Sequence, residues 1–164
     1  MKITWLLGFG VALASFLSIS HPEQAQAQAI DVTNVSGLAF GNVYPGIPKV
    51  IDKTTAGAAA EFHVSGTAGA EVQITFLQLP TYMNQGGFNM HVVISDTDCS
   101  MDSSATPNQS SPGYNNLNPW HPIIYRLGLN GLTIWLGGTL VPNIGQKPGN
   151  YSGIIQVKAE YTGN

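Results

Sequence analysis

The chain has 164 residues and a formal charge of −3, and only 9% of its residues are charged while 43% are hydrophobic. An average soluble domain carries about 25% charged residues. Surface helices need Lys, Glu and Arg on their wet face, whereas strands manage with Thr, Ser, Asn and Gln, so this composition, with 19 glycines and 10 prolines, excludes helix-rich classes and favours an all-β chain.

At the start, Met1 and Lys2 supply positive charge, residues 5–17 an apolar stretch, and Ala27-Gln28-Ala29 a small-x-small cleavage site. Together these predict a secretory signal peptide over 1–29, leaving 30–164 to fold as a single domain. Ala25-Gln26-Ala27 is a second possible cleavage site. A retained membrane anchor is the alternative, but the apolar stretch is short for a bilayer span and Gly8 and Gly10 interrupt it. No stable membrane span is expected after cleavage, and the product would lie in the periplasm, at the cell surface or outside the cell. Lipoprotein processing is excluded because the one cysteine is Cys99, which also rules out an internal disulfide. Cys99 reads as a small buried hydrophobe, with pairing between chains as the alternative.

After residue 30 the dominant signal is two-residue alternation. It is clear in Phe62 and Val64, in Val72, Ile74 and Phe76, in Phe88, Met90, Val92 and Ile94, and in Ile155, Val157, Ala159 and Tyr161. Weaker strands are expected at 38–44, 49–53, 123–127, 132–136 and 139–141, most bounded by Gly, Pro or Asn. Residues 54–60 are Ala-rich but too short to stand as a helix, and read as a loop or strand lead-in. Seven to nine short strands with one apolar face each predict an immunoglobulin-like antiparallel β-sandwich. The stretch 96–122, polar and punctuated by Pro107, Pro112, Pro119 and Pro122, reads as a long loop.

The basic residues after the leader, Lys49, Lys53, Arg126, Lys147 and Lys158, are too sparse to neutralise phosphates, so nucleic acid is not an expected partner. Within 96–122, Asp96, Asp98, Ser100 and Asp102 alternate as oxygen ligands of calcium would. The EF-hand pattern itself fails, since its Gly and Glu positions hold Met101 and Pro107, and a solvated acidic loop is the competing reading. Tyr114 and Trp120 could stack on sugar rings or dock a partner, or Trp120 could lid the core. His63, His91 and His121 have no zinc-motif spacing and read as ordinary sheet-face or surface histidines. Neither a nucleophile elbow nor a phosphate or dinucleotide loop is present, so no catalytic residue, metal or cofactor is expected.

Several stretches carry a family likeness. They are Leu38 with Phe40-Gly41; Phe62-His63-Val64-Ser65-Gly66 with Gly69, Val72 and Ile74; Leu79-Pro80; and Leu136-Gly137-Gly138-Thr139-Leu140-Val141-Pro142, then Gln146, Gly149-Asn150-Tyr151-Ser152-Gly153 and the strand ending at Tyr161. Over 37–161 the chain resembles the domain of unknown function 4402 family of exported bacterial proteins, with a likeness to fimbrial and pilus subunit domains. Gly137 and Gly138 would permit a bulge or a close backbone approach, and Gly149 to Gly153 a tight turn, so these positions read as scaffold. The resemblance implies no catalytic residue and no cofactor.

It does imply a non-enzymatic structural or adhesive protein of the bacterial surface, a fimbria-like subunit whose partners are copies of itself or other surface subunits. Ile30, Val32 and Val35 form only a short arm for donation of a strand to a neighbour. The alternative is a secreted glycan- or calcium-binding module using 96–122.

Overall fold

The computed structural model describes residues 28–163. The leader expected at 1–29 lies, except for Gln28 and Ala29, outside the described residues. Twelve strands make up the fold: β1 (Asp31–Ser36), β2 (Lys49–Ile51), β3 (Ala60–Ser65), β4 (Glu71–Gln78), β5 (Tyr82–Gln85), β6 (Phe88–Val93), β7 (Cys99–Asp102), β8 (Tyr114–Leu117), β9 (Ile123–Arg126), β10 (Leu132–Leu136), β11 (Gly138–Val141) and β12 (Gln156–Tyr161). All pairings between them are antiparallel. The chain is all-β, as its composition requires, and consistent with a β-sandwich; no helix occurs among the described residues.

Three sheets form, in the orders β1-β3-β10-β7-β8, β2-β11-β6-β5 and β12-β4-β9. The first two meet at Gly137, which separates β10 from β11. β3 and β2 pair with the two halves of that strand in turn, and so do β7 and β6. The first two sheets are thus one layer bent at Gly137, at 52–59 and at 94–98. The bend brings backbones close: a Cβ on Gly137 would lie 2.6 Å from the Ile51 carbonyl oxygen and 2.7 Å from the Lys53 nitrogen. This is the close approach expected of that glycine.

The three-stranded sheet forms the second layer. Val72 and Ile74 of β4 and Ala159 of β12 join Val64, Leu132 and Ile134 of the five-stranded sheet in one core, and Phe62 meets Phe76 edge to face at 6.4 Å. Burying each large aliphatic side chain contributes roughly 1.5–3 kcal/mol, which here stands in for the absent disulfide. Tyr161 ties the end of the chain to its described start. Its hydroxyl donates to the Gln28 carbonyl at 2.6 Å and accepts from the Thr67 N–H at 2.7 Å.

Several expectations need correction. There are twelve strands, not seven to nine, because β1, β5, β7 and β8 are short and rich in polar residues, and only β1 is anticipated, as an imperfect arm. Residues 38–44 do not form a strand: Gly41, at φ of 59°, breaks the extended backbone. The stretch 96–122 is not one long loop, since β7 and β8 lie within it. β7 escaped notice because its alternation of Cys99 and Met101 with Ser100 and Asp102 spans only four residues, and the polar pair reads as part of an acidic loop although it is buried. Residues 103–113 connect β7 to β8 and reach Lys53, whose carbonyl accepts from the Gln109 amide at 2.8 Å and whose ammonium donates to Asn116 Oδ1 of β8 at 3.0 Å. The arm over β1 is spent within its own sheet, with Val32 opposite Val64.

Candidate functional site

The acidic residues of 96–122 do not converge. Asp98 accepts the Ser95 N–H at 2.7 Å, Ser100 is fully buried in β7, and Asp102 accepts N–H groups from Ser104 at 2.8 Å and Asn108 at 3.0 Å. Burial of Asp102 favours its neutral form, but the hydrogen bonds from Asn108, Ser104 and Gly113 outweigh it and hold the carboxyl below the usual carboxylate value. Its charge is committed to organising the turn after β7. Among the described residues, no group of three or more His, Cys, Asp and Glu side chains is placed to hold a metal ion.

The aromatics separate as well. Tyr114 packs edge to face on Tyr125 at 4.7 Å, while the Trp120 indole N–H donates to the Ile94 carbonyl at 2.9 Å, at the bend between β6 and β7. Both remain about half exposed. His63 sits mid-sheet between Thr33 and Thr133, His91 lies against the Tyr82 ring at 5.4 Å, and His121 is in an exposed turn, so the three imidazoles do not meet. Cys99 is free and buried in β7, and desolvation pushes its thiol up to about 12 despite the nearby Lys53 ammonium.

The residues read as scaffold make packing contacts, but 149–153 is not the tight turn expected there: Ser152 instead bridges to Asn84. Phe40 is in the core, Gly138 packs beside Leu38 and Val93, Gly153 lies against Pro80, and a Cβ on Gly149 would run into the Gln85 amide. Tyr151 donates its hydroxyl proton to the Lys147 carbonyl at 2.9 Å and accepts from the Gln146 amide at 2.7 Å.

Two surfaces come from pairings that no local pattern announces. The first is the outer face of the four-stranded sheet. Register sets Val50, Thr139 and Val93 in one row across β2, β11 and β6, and Val141, His91 and Tyr82 in the next across β11, β6 and β5. Val50, Val93 and Tyr82 are exposed, and no carboxylate or ammonium belongs to either row.

The second is a groove on the inner face of the same sheet. There 38–45 and 142–151, rather than strands, form the cover, and they leave a cavity of about 770 Å³ floored by Met90 and Leu140. A smaller cleft of about 290 Å³ adjoins it through shared Leu38, Phe40 and Met83. Alternation placed Met90 on an inner face, but nothing in the sequence showed that a strand would be missing above it.

Compared with known proteins, residues 46–161 match the profile described as Domain of unknown function (DUF4402). The chain belongs to that family. The DUF4402 match runs from just before β2 to the end of β12, so β1 and the whole 38–45 cover, with Leu38, Phe40 and Gly41, precede it. No curated protein and no solved structure matches the chain. No helix among the described residues is long and apolar enough to cross a membrane.

Proposed function

We propose that the chain is an exported, non-enzymatic structural or adhesive protein of the bacterial cell surface, a fimbria-like subunit that associates with copies of itself. The observation that carries this reading is the outer face of the four-stranded sheet, with Val50, Val93 and Tyr82 exposed on adjacent cross-strand rows. Contiguous exposed apolar surface marks contact sites. Because the rows hold no charged side chain, two copies can meet there about a two-fold axis without burying an unpaired charge. β1 is already paired with β3, so the association uses this face and needs no donated strand. The leader-like start and the resemblance to fimbrial and pilus subunit domains support the compartment.

Multi-angle light scattering tests the association. The mature chain should gain mass with concentration, and a Val50→Glu/Val93→Glu double variant should remain a monomer with an unchanged circular dichroism spectrum. A wild-type chain that stays monomeric at the highest concentration reached would sink the subunit reading, and retention of the full-length chain in the cytoplasm would sink export.

A further inference from the structure

The groove under 38–45 and 142–151 lies on the opposite side of the sheet from the face just described. We infer that it binds a single-chain amphiphile with an anionic head, a fatty-acid type of carboxylate. Its volume, about 770 Å³, falls in the range of small-molecule sites. Phe40, Met83, Met90 and Leu140 supply an apolar bed, and the two unbranched thioethers adapt readily to a flexible chain.

Two polar side chains of the walls, Gln146 and Tyr151, are already engaged with one another. The Gln146 amide donates to the Tyr151 hydroxyl at 2.7 Å and to the Asn89 carbonyl at 3.2 Å, and Tyr151 donates to the Lys147 carbonyl. An extended peptide docks by pairing with a strand edge, and neither wall is a strand. An acyl chain needs no such edge.

Charge selects the head. Lys147 lines one wall, and the Lys49 ammonium sits at the other, donating to the Asn42 carbonyl at 3.2 Å. No Asp or Glu lines this cavity or the adjoining cleft. A carboxylate head at the rim is attracted by the lysine of either wall, while a cationic head is repelled.

Calorimetric titration of the mature chain with dodecanoate, dodecanol and dodecyltrimethylammonium, each below its micelle concentration, tests the inference. Dodecanoate should bind most tightly and the cationic amphiphile least. A Lys49→Glu/Lys147→Glu double variant, altering one part-exposed and one exposed side chain, should weaken dodecanoate by about tenfold while leaving dodecanol unchanged. Ala39→Trp, which fills the groove from its exposed wall, should weaken both. Equal affinity for all three heads, or dodecanoate binding indifferent to the charge reversal, overturns the assignment of the head. Dodecanoate that fails to bind, or that binds Ala39→Trp as well as wild type, overturns the site. Self-association is read separately by light scattering, so either reading can fail without the other.

Discussion

Asp102 and Cys99 lie three residues apart on one strand and respond oppositely to burial. The Asp102 carboxylate keeps its charge because the turn that follows folds back to donate N–H groups to it. Its folded pKa is depressed, so its contribution to stability is fully present above the unfolded value, about 3.9, and is lost as pH falls through the folded one. Denaturant midpoints should therefore hold steady down to about pH 4 and then drop. In Asp102→Ala the orphaned N–H groups should cost about 2–3 kcal/mol at neutral pH, and the acid-side drop should shrink. Cys99 has no such donors, and its raised thiol pKa keeps it protonated across the physiological range. A thiol reagent such as dithionitrobenzoate should leave the native chain unmodified at pH 8 and react with one equivalent on unfolding; rapid native labelling would contradict the burial.

At the scale of strands, alternation was enough wherever one face is dry and the other wet. β3, β4, β6 and β12 were legible for that reason. Cys99-Ser100-Met101-Asp102 was not, because Ser and Asp are buried yet mimic a loop. The arm over β1 looked imperfect because a bulge between Asn34 and Ser36 shifts its register and leaves Val35 exposed. Gly137 is the hinge of the bent layer. Gly137→Ala would press a methyl group onto the backbone at Ile51, the end of β2, and at Lys53 just beyond it, which cannot swing aside as a side chain can. A loss of about 1–3 kcal/mol is expected in chemical denaturation, larger than for Gly37→Ala, where no atom lies within 4 Å of a Cβ and φ is not left-handed.

For the molecule as a whole, bending one layer has two results. It lets the five-stranded half pack against β12-β4-β9, and it leaves the four-stranded half with an open inner face and an uncharged outer one. Association through that outer face is apolar, so its strength should be insensitive to salt between low and physiological ionic strength, when followed by sedimentation velocity. A steep loss of mass on adding salt would mean that charges outside these rows carry the contact.

The all-β class follows from sequence alone, because a chain with so few charges cannot keep helices wet and its apolar residues recur every second position. The scaffold role of Gly137 was legible for a similar reason, a glycine pair between two strand patterns. The groove and the apolar outer rows were decided only by tertiary structure. Val50, Val93 and Tyr82 come onto one face through pairings across long stretches of chain, and local periodicity carries no information about which strands will lie side by side.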